Sequence, residues 1–350
     1  MKQNLILFRF IVRGSIKYAW WSCKELIRRR IGRAPEQDCQ NVFFRQYVLH
    51  LIGFRPIHAI TCKIADGLGS GFGPGHQAFL VMDAISFARA AGLTYLHSPM
   101  ESISGADRPM QEWVAVWESV FNLGADELPF NSSRTDAINY CGLRNLDLCF
   151  GFRDHPERVE LSFKALIPEF KRKYYLRASH VSDSEIRVAV NIRRGEVSAD
   201  QANFMFTSAC KILRMVTGVA SCLVSHGLPF RLHVYGQGQS EEFAELSQFG
   251  ARLFLNADPL WTLRELVESD VLIVAKSHFS YYAGLISDGI KIFEPSAVPR
   301  GNHSLSIAWQ WPLFSTMDDW LACQDDGAID RAAFERRLEQ LLKRRAASPA

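Results

Sequence analysis

The stretch Val188-Ala189-Val190-Asn191-Ile192-Arg193-Arg194-Gly195-Glu196 decides the fold of this chain. Its apolar residues predict a strand buried on both faces, which is typical of a parallel sheet covered by helices. Ligands of such sheets bind at the carboxyl ends of the strands, and this strand ends in two arginines and a glycine. Arginine suits that place because its planar fork of donors can hold a phosphate through two hydrogen bonds. The plainer alternative is that Arg193 and Arg194 are solvated charges at a strand end, with Glu196 as a partner.

The second half of the chain alternates strands with helices around this stretch. Strands are predicted at 186–192, 230–235, 252–256, 271–275 and 290–293, with helical stretches near 200–226, 240–248, 260–268 and 279–286 between them. Five strands in this alternation predict a doubly wound parallel sheet. A closing amphipathic helix is predicted at 330–345.

The first half begins with a glycine-rich loop between a strand and a helix. The strand is predicted at 57–64, the helix at 78–91 and a second strand at 93–97, with glycines at every second position from Gly67 to Gly75. The spacing does not fit a dinucleotide fingerprint or a Walker loop. It does allow the backbone to approach a ligand closely, with His76 and Gln77 at the helix start. A flexible surface loop is the alternative.

Length and composition predict a globular protein of two domains. The 350 residues are too many for one typical core, and 48% of them are hydrophobic. We divide the chain into a first domain at 36–180, a second at 181–305 and a helical extension at 306–350. The eight cysteines have neither Cys-x-x-Cys pairs nor histidines at zinc-finger spacing, so they predict reduced core residues and no metal site.

The segment 1–35 is strongly basic, with nine Lys or Arg residues and one Glu, while the rest of the chain is acidic overall. Its basic residues follow one stripe of a helix and its apolar residues another, which is typical of an anchor to an anionic membrane surface. A helix packed on the protein with its charges in water satisfies the same pattern. No apolar run is long enough to span a bilayer, and we expect a cytoplasmic protein, peripheral on a membrane if the helix binds lipid. An acidic body argues against a nucleic-acid partner.

A second candidate segment follows the predicted strand at 271–275. It reads Lys276-Ser277-His278-Phe279-Ser280, and its two hydroxyls stand at the start of a helix. Such hydroxyls either cap the free amides of the helix or hold a phosphate together with them. Because the carboxyl ends of parallel strands meet at one edge, this segment and the paired arginines are expected to share a crevice.

Three segments together resemble a known family. The stretch 191–196 is similar to the His-x-Arg-Arg-Gly-Asp motif of the α1,2-, α1,6- and protein O-fucosyltransferase superfamily. The stretch 73–77 resembles its Gly-x-Gly-Asn-Gln loop, and 277–280 resembles its Ser-x-Phe-Ser phosphate segment. The three occur in the family's order over about residues 57–295.

The resemblance implies a GT-B-like fold, in which two Rossmann-like α/β domains face a central cleft, and a glycosyltransferase that needs no metal or cofactor. It assigns the second domain to a GDP-sugar donor, with Arg193 on the diphosphate and Ser277 and Ser280 beside it. An arginine in this role stabilises the charge that develops on the leaving diphosphate. The other substrate-binding candidates lie in the matching segments: Gly73, Gly75, His76, Gln77, Arg194, Gly195, Glu196 and His278.

The catalytic candidates are Arg193 and, as general base toward the acceptor hydroxyl, His97 or Asp66 of the first domain; His76, Glu101 and Asp107 are further choices for the base. A histidine after a strand, such as His97, is also commonly a structural hydrogen-bonding residue. Asn191 replaces the family's histidine, Glu196 its aspartate and His76 its asparagine, which leaves the donor sugar open.

The sequence therefore predicts an inverting glycosyltransferase that moves fucose or a related hexose from a GDP-sugar to a glycan or lipid-linked saccharide. We expect neither a secretory leader nor a spanning segment, and glycan synthesis without them suits a bacterial surface-polysaccharide or lipooligosaccharide pathway. The alternative is a non-catalytic module that binds a nucleotide sugar or a glycan. A nicotinamide-dependent oxidoreductase shares the sheet type but would need a better glycine fingerprint.

Overall fold

The computed structural model describes residues 57–63, 73–105, 107–131, 136–140, 164–176, 185–194, 205–295, 314 and 317–347. The predicted basic helix at 1–35 lies outside these residues, as do Asp66, Gly195 and Glu196. The chain divides into two compact units. Unit 2 comprises Ile167–Ala350 together with Pro74–Phe79 and Ser119–Phe121, and unit 1 comprises the residues before Ile167 that remain.

Unit 1 is built on a four-stranded parallel sheet. Its strands are β1 (Ala59–Thr61), β2 (Thr94–His97), β3 (Leu128–Pro129) and β4 (Ala137–Asn139), in the order β3-β2-β1-β4. The helices that connect them are α1 (Pro74–Ala91) and α2 (Met110–Phe121). The boundary between the units passes through both helices, because the first turn of α1 and the end of α2 belong to unit 2.

Unit 2 is built on a six-stranded parallel sheet. In chain order its elements are α3 (Ile167–Tyr175), β5 (Ile186–Ile192), α4 (Ala209–Ser225), β6 (Phe230–Gly236), a 3-10 helix (Ser240–Phe249), β7 (Arg252–Leu255), α5 (Pro259–Val267), β8 (Val271–Ile273), α6 (His278–Ile286), β9 (Ile290–Phe293), β10 (Trp320–Ala322) and α7 (Arg331–Ala347). A short 3-10 turn (Lys164–Leu166) precedes α3.

The strand order of this sheet is β10-β9-β8-β5-β6-β7, and every neighbouring pair is parallel. The chain enters at β5, adds β6 and β7 on one side and then returns to add β8, β9 and β10 on the other. The order therefore reverses between β5 and β8. In open α/β sheets this reversal leaves a crevice at the carboxyl ends of the two strands, which is where ligands bind.

A continuous apolar core fixes this topology. The inward residues of β5, among them Val188, Val190 and Ile192, pack with the apolar faces of α4 and α7. The helices also begin where the sequence provides caps, since Ser208 accepts a hydrogen bond from Lys211 N and Asp258 accepts one from Trp261 N. Burial on both faces explains why β5 is apolar almost throughout.

The predicted α/β class and both parallel sheets are confirmed. Two differences have clear physical reasons. The helix predicted near 200–226 begins only at Ala209, because the carbonyls of Phe206 and Thr207 accept hydrogen bonds from side chains of unit 2 rather than from a helical turn. The strand β10 is not predicted, since three residues give too short a pattern. Among the described residues, no helix is both long and apolar enough to cross a membrane.

Candidate functional site

The crevice between β5 and β8 is the natural starting point for a site. A small recess of about 10 Å³, partly open to solvent, is lined by residues at and just beyond the ends of both strands: Asn191, Ile192 and Arg193 at the end of β5, and Ile273, Val274 and Ala275 at the end of β8. Its remaining walls come from Met205, Thr207, Ile212 and Met215. The recess is mostly apolar and has room for about one water-sized group, and Arg193 is among its lining residues.

The two adjacent arginines have different surroundings. Arg193 is half-buried and lines the recess. Arg194 is 8% exposed, and its guanidinium donates to the carbonyls of Arg193 at 2.9 Å and of Thr207 at 3.1 Å. Arg194 also stacks on the ring of Phe206, 4.3 Å from its centroid. In this geometry Arg194 holds protein backbone, and Arg193 is the one of the pair that faces the recess.

A second buried cation holds the same wall of the recess. Lys276 lies three residues after the end of β8, and its ammonium donates to the carbonyl of Phe206 at 3.1 Å. Arg194 and Lys276 therefore fix the backbone of two consecutive residues, Phe206 and Thr207. Because Thr207 lines the recess, these two cations set the shape of its wall.

Glu294 connects this wall to the end of β9. Its carboxylate accepts hydrogen bonds from Lys211 at 2.6 Å and from the Thr207 hydroxyl at 2.8 Å, and it pairs with Lys276 at 2.7 Å. Burial raises the pKa of Glu294, but these three donors outweigh burial and leave its pKa below the ordinary value. Glu294 is thus a buried carboxylate that orders three donors beside the recess.

The two serines of the predicted phosphate segment, Ser277 and Ser280, form hydrogen bonds with neighbouring backbone amides. Ser277 is the N-cap of α6 and accepts from Ser280 N at 3.2 Å. The hydroxyl of Ser280 accepts from Ala275 N at 3.0 Å, and its side chain is fully buried. In this form both hydroxyls satisfy backbone amides at the turn from β8 into α6, as the capping alternative describes.

The glycine-loop motif meets the serine segment in unit 2. The rings of His76 and His278 lie 4.2 Å apart, and Phe79 packs edge-on to His278. A Cβ at Gly75 would stand 2.6 Å from both Cα and N of Phe279, so only glycine lets these two helix starts approach so closely. At Gly73 a Cβ would meet only Ser104 Oγ at 3.9 Å, which is an ordinary contact.

The positive charge of Arg193 contributes to lowering the pKa of both His76 and His278. Burial first, and Arg193 second, lower the pKa of His76 to about 4. Burial, His76 and Arg193 together keep the pKa of His278 well below its ordinary value. Both rings are therefore neutral at pH 7. The three segments predicted from the sequence thus come together around Arg193. Gln77, the last residue of the loop motif, is fully buried.

His97 lies in unit 1 at the end of β2. Its Nε2 is 3.0 Å from a carboxylate oxygen of Glu118, and its Nδ1 is 3.5 Å from the hydroxyl of Tyr95. The other oxygen of Glu118 accepts from Met100 N at 2.7 Å. With Nε2 donating to the carboxylate, Nδ1 is the nitrogen that can accept a proton. The pair has the composition of a general base with its orienting carboxylate, and it also satisfies a structural histidine.

No protein-family model matches the chain, and no curated protein sequence matches it. Among solved structures, the chain is similar to POFUT1 in complex with GDP-fucose, with 12% identity over 68% of this chain and 98% of that one, at a TM-score of 0.33. It is also similar to the E. coli heptosyltransferase WaaC with ADP, with 9% identity over 81% of this chain and 100% of that one, at a TM-score of 0.40. Likenesses this remote do not assign a family.

Sequence reasoning missed Lys276, Glu294 and Glu118. The signal for Glu294 was present, because it directly follows a predicted strand just as Arg193 does. Lys276 immediately precedes the serine segment, but only the two hydroxyls of that segment were predicted to have a role. Glu118 lies on a helix 21 positions from His97, and no local pattern connects the two residues.

Proposed function

We propose that this protein is an inverting GT-B glycosyltransferase that transfers a sugar, fucose or a related hexose, from a GDP-sugar to a glycan or a lipid-linked saccharide. The observation that supports the proposal is the position of Arg193 at the reversal of strand order, with His76 and His278 close enough to feel its charge. Transferases of this kind must bind a diphosphate and stabilise it as it leaves.

Arg193 suits the leaving group for electrostatic reasons. Negative charge accumulates on the diphosphate as the glycosidic bond breaks, so a cation fixed at that position gains interaction energy in the transition state. A guanidinium keeps its charge at any working pH and can grip two phosphate oxygens. Lys276 and Arg194 hold the wall of the recess beside it.

Inversion requires a general base that activates the acceptor hydroxyl on the face of the sugar opposite the diphosphate. We assign this task to His97, with Glu118 as the carboxylate that orients it through Nε2. A hydrogen bond to a carboxylate holds the imidazole in one tautomer and one orientation. Asp66 remains a predicted candidate outside the described residues.

The proposal extends to the setting of the reaction. A basic, amphipathic segment at 1–35 supports work at an anionic membrane surface on the cytoplasmic side, where a lipid-linked or surface-polysaccharide acceptor would be found. Vesicle flotation with and without anionic lipid tests membrane binding separately from donor binding.

Donor binding is tested by thermal shift with GDP, UDP, CDP and ADP, followed by release of GDP from GDP-sugars in the presence of acceptor glycans. GDP should stabilise the protein selectively, and Arg193→Ala should remove that stabilisation. Arg252→Ala is the matched control, because Arg252 is an exposed arginine at the opposite, amino end of a strand in the same sheet. Unchanged GDP stabilisation and unchanged turnover in Arg193→Ala would contradict the proposal.

A non-catalytic module that binds a nucleotide sugar is the second candidate. The specific observation in its favour is that the hydroxyls of Ser277 and Ser280 both accept hydrogen bonds from backbone amides. Asn191, at the family's histidine position, likewise donates to the carbonyl of Tyr235 at 3.3 Å. Selective GDP binding without GDP release from any GDP-sugar, across a broad acceptor panel, would favour this candidate.

A further inference from the structure

Outside the candidate site, one group of metal-ligating side chains stands out among the residues that the structure describes. Cys222 and His226 lie one helical turn apart at the end of α4, and Glu335 approaches them from the first turns of α7. The distance from Cys222 Sγ is 3.8 Å to His226 Nδ1 and 3.9 Å to Glu335 Oε1. All three ligand atoms lie within 4.8 Å of one another.

These distances match the requirements of zinc closely. Zinc binds thiolate at about 2.3 Å and imidazole at about 2.0–2.1 Å, so two such ligands in a tetrahedron stand roughly 3.5 Å apart. The two measured separations need to shorten by only a few tenths of an ångström. A thiolate, an imidazole and a carboxylate form a borderline-soft set that favours Zn²⁺ over Mg²⁺ or Ca²⁺. Three protein ligands leave a fourth position, which most structural zinc sites fill with another protein side chain and which water would fill here.

A metal ion would replace several contacts that exist without it. His226 Nδ1 lies 2.9 Å from the carbonyl of Cys222 and 3.4 Å from the hydroxyl of Ser225. Glu335 Oε1 pairs with Arg331 Nε at 2.8 Å, and Arg331 also donates to Ser225. The Cys222 thiol must lose its proton. Cys222 is buried, but the contacts of His226 and Glu335 lie at or near the surface. Metal bonds to a thiolate and an imidazole are stronger than any of these contacts.

We propose that Cys222, His226 and Glu335 bind a zinc ion that crosslinks α4 to α7. The site is independent of the donor site, because α4 ends just before β6 begins, at the edge of the sheet opposite the recess. Its role is structural: α7 packs on α4 through Phe334 and Leu338, and the ion would lock this closing helix onto the core. The spacing Cys-x-x-x-His places both ligands on one helical face, which a search for zinc-finger spacing overlooks.

Zinc and cobalt binding to the full chain test the proposal. The wild type should bind one Zn²⁺ per chain, and a concentration about 100 times Kd should raise Tm by roughly 5–10 °C. With Co²⁺ the thiolate should give a charge-transfer absorption band. Because Cys222 is buried and its substitution can weaken the core, the decisive variant is His226→Gln, whose side chain is exposed.

The controls separate this site from adventitious binding. His226→Gln should weaken zinc binding at least tenfold, and Cys222→Ser should lose the cobalt band. Cys210→Ser removes an exposed cysteine in the first turn of the same helix and should behave as the wild type. Absence of stoichiometric zinc binding, wild-type affinity in His226→Gln, or equal loss in Cys210→Ser would each overturn the proposal. GDP binding plays no part in any of these outcomes.

Discussion

The pair of histidines beside Arg193 makes a quantitative prediction about pH. Burial, the larger cause, and the charge of Arg193 lower the pKa of His76 to about 4. In the unfolded chain the same ring has a pKa of about 6.5. Between these two values the unfolded chain binds a proton at His76 that the native protein does not bind.

The sign follows from that difference in bound protons. Stability rises with pH wherever the unfolded state holds more protons, so the free energy of unfolding should fall as the pH is lowered from about 6.5 towards 4. For a shift to about 4, the loss between pH 7 and pH 5 is about 2 kcal/mol from His76 alone. His278, whose pKa is also lowered, adds to the loss in the same direction.

Two measurements check this reasoning. Urea unfolding of unit 2, followed at pH 7 and pH 5, should show a loss of stability that is smaller by about 2 kcal/mol in His76→Gln than in the wild type. His58→Gln, an exposed histidine of unit 1, serves as the control. In an NMR titration the His76 ring should remain neutral to well below pH 5, and Arg193→Ala should raise its pKa.

The outcome that refutes the reasoning is specific. A His76 ring that titrates near pH 6.5 in the native protein would mean that it is neither buried nor close to Arg193. A lowered pKa that Arg193→Ala leaves unchanged would retain burial but remove the charge contact. In the second case the three sequence segments would not share one electrostatic site.

Three further predictions concern the geometry around the site. Gly75→Ala should destabilise the protein by about 1–3 kcal/mol, because its Cβ would overlap backbone at 2.6 Å, while Gly73→Ala should change little; urea midpoints of both variants decide it. Lys276→Met should lower stability by about 1–3 kcal/mol and weaken GDP binding, whereas adding Glu294→Gln should recover part of the stability, as a double-mutant cycle would reveal. Glu118→Gln should reduce kcat more than it changes KM for the donor, because it removes the carboxylate that orients His97. If the variant instead loses activity only in proportion to its loss of folded protein, Glu118 has a structural role alone.

The sheet of unit 2 was predictable because its signal is local. β8 and β9 are short runs of apolar residues that are buried throughout, and β5 is buried at five of its seven positions, which is typical of a parallel sheet covered by helices. The bounds of β5 and β9 agree with the prediction, while β8 ends two residues earlier than predicted. Its end is cut short because the backbone turns at once into the capped start of α6, where Ala275 N donates to Ser280.

The site was predictable only in part. Sequence spacing places Arg193, His76 and His278 at strand or helix ends, and the reversal of strand order brings such ends together. Spacing does not tell which atoms satisfy each other once they meet. The sequence allows the hydroxyls of Ser277 and Ser280 to bind either a ligand or backbone amides. The structure shows that they accept from the amides of Ser280 and Ala275.

The same limit explains the division within the arginine pair. Arg193 and Arg194 both follow the end of β5, and of the two only Arg193 lines the recess. Arg194 turns to the chain that follows and, with Lys276, holds the carbonyls of Thr207 and Phe206, while Arg193 faces the recess. Under the proposed function the two arginines have different tasks: Arg193 would meet the diphosphate, and Arg194 keeps the wall beside it in place. Lysine at position 194 would retain the charge but lose the fork that reaches two carbonyls at once, so shape rather than charge is what that position requires.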